Sequence, residues 1–209
     1  MKCLFKKIFI LEGNIGAGKS TLLSYLGKAI PNVLVIPEPV SEWKNVDGDD
    51  LLKKFYNDPK KWGFAFEQYS MFTKAKKMRE ALASSADVII MERSIFSDRA
   101  FQFVSFYLNK IDPLEMCLLD KYFDEFRTWY PALSGVIYLD TDPKLCLERI
   151  KTRGRREEKD IDEEYLKKLE EQFLLAKYDA PMLMVSGDYD EKDKEKTVQM
   201  VLKFITKCV

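Results

Sequence analysis

A glycine-rich segment near the amino terminus constrains the fold more than any other part of the chain. Gly13–Ser20 reads GNIGAGKS and fits the phosphate-binding loop pattern G-x-x-x-x-G-K-S/T without a mismatch. The apolar run Ile8–Leu11 before it has the length of a buried strand, and Thr21–Leu26 after it has helical spacing. Strand, glycine loop and helix in this order predict an α/β fold that binds the phosphates of ATP or GTP.

The residue types in this loop suit phosphate binding. Glycines allow backbone N–H groups to turn towards phosphate oxygens, and the start of the following helix contributes its positive dipole end. Lys19 can reach the outer phosphates, and the hydroxyl of Ser20 can hold Mg2+. The residues expected to bind the donor nucleotide here are Gly13, Asn14, Gly16, Ala17, Gly18, Lys19, Ser20 and Thr21.

Apolar strand-like runs alternate along the chain with longer helical patterns. The runs are Ile8–Leu11, Val33–Ile36, Val88–Met91, Val136–Leu139 and Met182–Val185. Their spacing is typical of parallel β-α-β units and predicts a P-loop kinase-type three-layer sandwich, in which a five-stranded parallel sheet has helices on both faces. We expect residues 1–209 to form a single domain. The charged segment 153–160 is expected to be a short arginine-rich lid or a solvated turn.

Composition narrows the class of protein. Lys plus Arg and Asp plus Glu each number 34, and the resulting zero net charge argues against nucleic-acid or anionic membrane partners. The absence of histidine excludes histidine-based general-base and triad chemistry. The four cysteines are widely spaced and favour reduced, mostly buried thiols. With no targeting segment or membrane-length apolar run, we expect a cytoplasmic protein.

Two acidic residues follow predicted strands, at the edge where ligands bind in open α/β sheets. Glu38 lies between two prolines and is either a general base for an acceptor hydroxyl or an exposed turn residue. Glu92 is expected to reach Mg2+ directly or through water, because the phosphate loop already requires a metal partner. Arg93 beside it could bridge phosphate oxygens.

Three arginines lie near the charged segment. Arg149 and Arg153 are four residues apart and share a helix face, and Arg155 follows closely. Arginines that converge on a transferring phosphoryl group would stabilise its charge. A solvated basic turn is the alternative interpretation.

The order of several short segments is informative in itself. They are Gly13–Thr21 (GNIGAGKST), Pro37–Val40 (PEPV) with Trp43, Trp62–Tyr69 (WGFAFEQY), Glu92–Arg99 (ERSIFSDR) and Arg153–Glu158 (RGRREE). Together they resemble the deoxynucleoside kinase family, which includes deoxycytidine, deoxyguanosine and insect-type multisubstrate kinases. The resemblance covers nearly the whole chain. It implies ATP- and Mg2+-dependent phosphorylation of the 5′-hydroxyl of deoxynucleosides in nucleotide salvage.

The resemblance also implies a role for each matching residue. Glu38 matches the general base for the 5′-hydroxyl, and Arg93 matches the arginine near the reacting phosphate. Tyr56 and Glu158 match the partners of the 3′-hydroxyl. The other matches are Ser20 and Glu92 for Mg2+, Lys19 with Arg149, Arg153 and Arg155 for the donor phosphates, Trp43 and an aromatic near Phe103 for the walls of the base pocket, and Asp188 with Tyr189 for the loop near the donor adenine.

The base-reading position departs from the family pattern. The family has a glutamine after Trp-x-x-x-Phe, whereas this chain has Glu67, with Gln68 next. A glutamine donates and accepts, but an ionised glutamate only accepts, which would suit the two donors of guanine. Glu67 would suit adenine or cytosine only if it were protonated or helped by water. A rotated helix would let Gln68 read the base instead.

Two further departures concern the same pocket. Lys74 stands where the purine- and cytosine-preferring members have arginine, and together with Asp98 it favours purine or cytosine bases over thymine. The aromatic position after the S-D-R segment falls in register on Gln102. A shift of one residue would place Phe103 or Phe101 there.

Other functions remain open on the sequence. A nucleoside monophosphate kinase of the thymidylate type shares this architecture, although Glu38 would repel an acceptor phosphate. A nucleotide-dependent switch is the other alternative, but the chain has no Asn-Lys-x-Asp motif for guanine.

The family resemblance implies a homodimer built through helices around Ser94–Leu108 and Leu114–Tyr130. The alternative is that the aromatics of these helices only cover the sheet.

Overall fold

Strands and helices alternate along the chain, as the sequence predicts. The computed structural model describes residues 6–188 and 191–208, without the side chains of Arg156 and of residues 191–194. The strands are β1 (Lys7–Gly13), β2 (Val33–Ile36), β3 (Val88–Glu92), β4 (Gly135–Asp140) and β5 (Met182–Ser186). The helices are α1 (Lys19–Ala29), α2 (Val40–Trp43), α3 (Leu51–Asn57), α4 (Pro59–Leu82), α5 (Ile95–Tyr107), α6 (Pro113–Arg127), α7 (Pro143–Arg153), α8 (Glu163–Leu175) and α9 (Glu191–Lys207), with a 3-10 turn at Arg156–Glu158.

All five strands are parallel and form one sheet in the order β2-β3-β1-β4-β5. In the central strand, Ile10 lies opposite Met91 of β3 and Val136 of β4. The predicted α/β fold with a five-stranded parallel sheet is therefore confirmed. The carboxyl ends of β1, β2 and β3 meet at one edge, and this edge carries the residues that follow these strands.

Helices cover both faces of the sheet, because the side chains of each strand alternate between the faces. Phe9 and Leu11 of β1 point to the face covered by α1, α7 and α9. Ile8 and Met91 belong to the opposite face, where they pack with Met78 of α4. The three layers place the phosphate loop and α1 on one side of the sheet edge and α4 on the other.

Three helices begin with an aspartate followed by proline, a pair of residues that is typical of a helix start. The carboxylates of Asp58, Asp112 and Asp142 accept hydrogen bonds from backbone N–H groups in the first turns of α4, α6 and α7. Asp112 also forms a capping box with Glu115. Each cap stabilises its helix by about 1 kcal/mol. The caps set where α4 and α7 begin, and these helices carry site residues.

Two further observations bear on sequence expectations. Within residues 6–188 and 191–208, none of the helices combines the length and the hydrophobicity needed to cross a bilayer. Cys146 is buried, but Cys117 is exposed on α6. The expectation of mostly buried thiols therefore does not hold for Cys117, because its position on α6 faces away from the core.

Candidate active site

The predicted site residues meet in a cleft of about 540 Å3 at the carboxyl ends of β1, β2 and β3. The phosphate loop forms one wall, helices α3 and α4 form another, and the segment after α7 closes over the top. The predicted residues that line the cleft are Gly16, Gly18, Lys19, Ser20, Thr21, Glu38, Trp43, Tyr56, Glu67, Lys74, Glu92, Arg93, Asp98, Arg149, Arg153, Arg155 and Glu158.

Contacts behind the cleft hold the phosphate loop in shape. Gly16 has a φ of +79°, and a Cβ at this position would lie 2.5 Å from the carbonyl oxygen of Cys146. Only glycine fits this conformation and this close approach. Asn14 donates from Nδ2 to a backbone carbonyl of α8 at 2.8 Å, and the carbonyl of Ala17 accepts from Nη1 of Arg149 at 3.1 Å. Asn14 and Ala17 therefore shape the loop from behind.

Lys19 lies at the start of α1, buried below the loop. Its Nζ donates to the carbonyl oxygen of Asn14 at 2.7 Å, which holds the ammonium group under the loop backbone. Burial and the positive charge of Arg93 lower the pKa of Lys19 to about 8. The buried charge has little competition from water, so a phosphate oxygen would gain a strong partner here.

Ser20 and Glu92 provide oxygen ligands of the type that Mg2+ prefers. The hydroxyl of Ser20 donates to Oε1 of Glu92 at 2.9 Å, across the gap between α1 and the end of β3. The described part of the chain contains no cluster of three or more acidic or cysteine side chains that could enclose a metal. Mg2+ is usually held by one or two protein oxygens, waters and substrate phosphates. The pair therefore fits this ion.

Glu38 and Arg93 face each other across the carboxyl ends of β2 and β3. The Nε of Arg93 lies 3.2 Å from Oε1 of Glu38. Arg93 is 2% exposed and adopts a left-handed backbone with φ +60°, which is strained for a residue other than glycine and is common at functional sites. Its guanidinium lies over the ring of Phe101, 4.7 Å from the centroid. Glu38 is thus held by a fixed arginine and is no exposed turn residue.

The charges around Glu38 favour its ionised form. Burial alone would raise the pKa of Glu38, but the attraction of Arg93, Lys74 and Lys19 outweighs burial and leaves this pKa below its ordinary value. Among the described residues, Nη1 of Arg93 has no hydrogen-bond partner despite its burial. Buried N–H groups without partners are costly, and an anionic ligand in the cleft would satisfy them.

A buried ion pair occupies the far end of the cleft. The Nζ of Lys74 on α4 forms a short ion pair with Oδ1 of Asp98 on α5, and both side chains are at most 2% exposed. Ser70 also donates to Oδ1 of Asp98, at 2.9 Å. The other carboxylate oxygen of Asp98, Oδ2, is buried without a partner among the described residues. An amino group on a ligand could donate a hydrogen bond to Oδ2.

Glu67 lies beside this ion pair and is 2% exposed. Its Oε1 accepts from the hydroxyl of Ser105 at 3.0 Å. Burial and then the negative charge of Asp98 raise the pKa of Glu67 to about 8, although Ser105 and Lys74 act in the opposite direction. Glu67 lines the cleft and Gln68 does not, so α4 has the orientation that places the glutamate in the pocket.

The aromatic wall differs from the sequence expectation. Trp43 is buried and donates from Nε1 to Thr73 at 2.9 Å, and it lines the cleft as predicted. Phe103 does not line the cleft. It is 43% exposed, with the guanidinium of Arg99 above its ring. Residues two apart in a helix point about 200° apart, so Phe101 faces the cleft while Phe103 faces outward. The aromatic position near Phe103 is corrected to Phe101.

The segment after α7 brings charged side chains over the cleft. Glu158 accepts from Nη2 of Arg153 at 2.6 Å and from Nη1 of Arg155 at 3.2 Å. The neighbouring Glu157 forms an ion pair with Lys44, which follows α2, at 2.7 Å. The two arginines therefore line the cleft while they neutralise Glu158, and the segment is tied to the opposite wall.

The predicted adenine-side loop follows β5 and includes Asp188. The carboxylate of Asp188 accepts from the backbone N–H of Asp142, with the nearer oxygen at 3.1 Å, and does not line the cleft. Tyr189 lies outside the described residues. Arg149 donates from Nη2 to the carbonyl of Gly187 at 3.0 Å, which joins the end of β5 to the phosphate loop.

Comparison with known proteins decides the family. The model of the deoxynucleoside kinase family matches residues 9–209. The probable deoxycytidine kinase of fowlpox virus is 33% identical over 96% of this chain and 86% of the viral protein. Human deoxycytidine kinase is 31% identical over 96% of this chain and 91% of its own length. Human mitochondrial thymidine kinase 2 is 35% identical over 88% and 72%. This chain belongs to the deoxynucleoside kinase family.

The family membership confirms the predicted enzyme class. The protein is a deoxynucleoside kinase, and ATP is its phosphate donor. Its small-molecule substrates are a nucleoside and a nucleotide. The alternatives of a monophosphate kinase and of a nucleotide switch lose their support. The family that matches nearly the full chain consists of deoxynucleoside kinases.

Sequence reasoning missed a buried carboxylate behind the kinase site. Glu12 is fully buried near the end of β1 and accepts from the hydroxyls of Ser94 and Ser97, with Ser97 at 2.6 Å. It ties the first turn of α5 to the phosphate-loop strand, and burial raises the pKa of Glu12. The sequence signal for Glu12 was its position directly after an apolar run and before the glycine loop. Tyr165 of α8 also lines the cleft, and no sequence signal marks it.

Proposed function

We propose that this kinase transfers the γ-phosphate of ATP to the 5′-hydroxyl with Glu38 as general base and Mg2+ held by Ser20 and Glu92. We further propose that cytosine and purine bases are favoured over thymine. The observation that carries the proposal is the position of Glu38, which lies in one cleft between the phosphate loop and the buried pair of Lys74 and Asp98.

The acceptor hydroxyl loses its proton to Glu38. A general base must be ionised at the working pH and within hydrogen-bond reach of the proton that it accepts. The lowered pKa of Glu38 meets the first condition, since the carboxylate stays ionised at neutral pH. For the second condition, Glu38 lines the cleft in which the acceptor hydroxyl would lie, and Arg93 orients its carboxylate from 3.2 Å away. Because the transition state of phosphoryl transfer is loose, positioning matters more than the basicity of this group.

The donor phosphates are bound by positive groups on both sides of the reacting atoms. Lys19 and the loop N–H groups hold the outer phosphates, and Arg93, whose Nη1 has no partner among the described residues, lines the same cleft. When bound at Ser20 and Glu92, Mg2+ would neutralise negative charge on the phosphate oxygens. The chain's own contribution is to orient the phosphates in line with the hydroxyl and to keep water away from the cleft.

The segment 153–160 serves as a lid in this proposal. Arg153 and Arg155 are bound to Glu158, so their positive charges are already positioned at the mouth of the cleft. With ATP present, these arginines and Arg149 would turn towards its phosphates. Glu158 would then accept from the 3′-hydroxyl, together with Tyr56, which lines the cleft below the lid. The ion pair between Lys44 and Glu157 would keep the lid closed over the sugar.

The base lies between aromatic side chains at the far end of the cleft. Trp43 and Phe101 provide the walls, and stacking of this kind is worth about 1–3 kcal/mol for each base. The free Oδ2 of Asp98 accepts from an exocyclic amino group, which cytosine and the purine bases carry and thymine lacks. Thymine would leave this buried acceptor unsatisfied, at a cost of about 1–3 kcal/mol.

The same proposal includes a homodimer. Helices α4, α5 and α6 contact one another and expose large apolar side chains on their outer faces. The exposed apolar side chains are Phe72, Phe103, Phe106, Tyr107, Leu114 and Leu118. Apolar surface of this kind favours association with a second copy. Light scattering after size exclusion tests this point, because Phe103→Glu should convert the dimer to a monomer.

A substrate panel tests the proposed reaction. The four deoxynucleosides and their 5′-monophosphates are each incubated with ATP, with and without Mg2+, and the products are resolved by chromatography. We expect transfer to nucleosides only, at the 5′ position, with thymidine the weakest acceptor and with little transfer without Mg2+. Transfer to the monophosphates alone would remove Glu38 from its assigned role.

A further inference from the structure

Two buried carboxylates share one buried lysine at the base end of the cleft. Asp98 is paired with Lys74 and accepts from Ser70. Among the described residues, the hydrogen-bond partner of Glu67 is the neutral hydroxyl of Ser105, although Glu67 is as deeply buried as Asp98. An isolated ionised carboxylate in a buried site is very costly, and such a group takes up a proton instead. The charge balance therefore leaves one proton on the carboxylate without a cation.

The charged and titratable groups around Glu67 come from three directions. Lys74 lies two turns further along α4, Asp98 projects from α5, and Lys110 follows α5 with its ammonium 5.0 Å from the ring of Tyr165 on α8. Lys74 is committed to Asp98, and Lys110 is only partly buried. Burial and Asp98 prevail over both lysines, so the pKa of Glu67 is about 8.

We propose that Glu67 is a titratable specificity residue, which reads the base with one donor and one acceptor while it carries a proton and with acceptors alone after it loses that proton. A neutral carboxylic acid offers an O–H and a carbonyl oxygen side by side. This pair complements a ring nitrogen without hydrogen next to an exocyclic amino group. Cytosine and adenine present that edge, and Oδ2 of Asp98 would take the second hydrogen of the amino group.

The ionised form of Glu67 selects a different edge. Two carboxylate oxygens require two neighbouring donors from the base, and the ring N–H and the adjacent exocyclic amino group of guanine supply them. The unprotonated ring nitrogen of cytosine or adenine would instead face a carboxylate oxygen, so two acceptors would meet. The preferred bases should therefore change as the pH rises through the pKa of Glu67.

The inference rests on the proposed function, because Glu67 reads a base only if the nucleoside lies in this cleft. The test measures kcat/KM for deoxycytidine and for deoxyguanosine from about pH 6 to about pH 9, a range that brackets the expected transition. The ratio of the two values is used, since the titration of Glu38, Lys19 and ATP affects both substrates and cancels. The dissociation constants of both nucleosides, measured without ATP, give a second ratio that does not depend on the chemical step.

The titration of Glu67 sets the expected change in the ratio of the two kcat/KM values. With a pKa of about 8, nearly all molecules carry the proton at pH 6 and about one in eleven carries it at pH 9. The deoxycytidine to deoxyguanosine ratio should therefore fall about tenfold over this range. Glu67→Gln keeps a donor and an acceptor at every pH, so its ratio should stay level and favour deoxycytidine. Glu80→Gln, an exposed position on the same helix, should retain the pH dependence of the wild type.

The outcomes separate the two proposals. If no nucleoside is phosphorylated at any pH, the proposed function fails. If nucleosides are phosphorylated but the wild-type ratio is level with pH, the role of Glu67 is refuted even if Glu67→Gln does not fold. A pH-dependent ratio that survives in a folded Glu67→Gln protein would also refute it, because another group would then be titrating.

Discussion

Replacing Glu38 with glutamine removes the proposed general base while it preserves the shape of the side chain. The amide cannot take the proton of the 5′-hydroxyl. General-base catalysis by a positioned side chain contributes about 100- to 10,000-fold, so kcat should fall by this factor, which corresponds to about 3–5 kcal/mol of activation free energy. The nucleoside still has its base and 3′-hydroxyl contacts, so its KM should change little.

The structure also predicts the effect of this substitution on ATP. Glu38 attracts Arg93 across 3.2 Å, which amounts to about 5 kcal/mol in surroundings with an effective dielectric constant of roughly 20, before the cost of desolvation. Glutamine removes that negative charge and leaves the positive field of Arg93 and Lys19 for the phosphates. The affinity for ATP should therefore be unchanged or higher.

The assay combines steady-state turnover with calorimetric titration of ATP. Glu42→Gln is the matched control, because Glu42 lies outside the cleft, where it pairs with Lys77 at 2.8 Å. Its kcat should equal that of the wild type. A kcat of Glu38→Gln within about threefold of the wild type would exclude Glu38 as the base, since even a weak general base supplies far more. Loss of ATP binding would show that Glu38 acts structurally instead.

Three further substitutions test other parts of the cleft. Gly16→Ala places a Cβ 2.5 Å from a carbonyl oxygen of α7 at a φ of +79°, so ATP binding measured by calorimetry should be lost or severely weakened. Asp98→Asn breaks the buried ion pair with Lys74, which costs about 3–5 kcal/mol, so the melting temperature should fall by about 6 °C or more. A fall under about 3 °C would contradict the buried pair. Lys44→Ala removes the ion pair to Glu157, whose partners are 35% and 13% exposed, so the nucleoside KM should rise by no more than about fivefold at unchanged kcat. A fall in kcat would show that this contact takes part in the chemical step.

The phosphate loop and the strands were predictable because their signals are local. The loop has a fixed pattern of glycines and lysine, and the predicted strands agree with the observed ones to within two residues at each end. Aspartate followed by proline marks helix starts for the same reason, since the cap uses only the nearest backbone N–H groups. The approximate positions of Glu38 and Glu92 followed from the rule that ligands bind at the carboxyl ends of parallel strands.

Orientation around a helix was less predictable, because it depends on what packs against the helix. The choice between Phe101 and Phe103 required the packing of α5, and the choice between Glu67 and Gln68 required the packing of α4. Glu12 was missed because its serine partners come from a helix more than 80 residues later in the chain. Contacts at such a separation leave no pattern within either segment.

The sequence by itself determined the parallel α/β sheet, the phosphate-binding loop and the family, because short-range patterns and the order of motifs carry this information. Only the tertiary structure decided the charge states in the cleft. It pairs the buried Asp98 with Lys74, buries Glu67 in the same cleft, and sets Arg93 against Glu38. Since the ionisation of a group depends on its burial and on the charges within a few ångströms, residues distant in the sequence must come together before these pKa values exist.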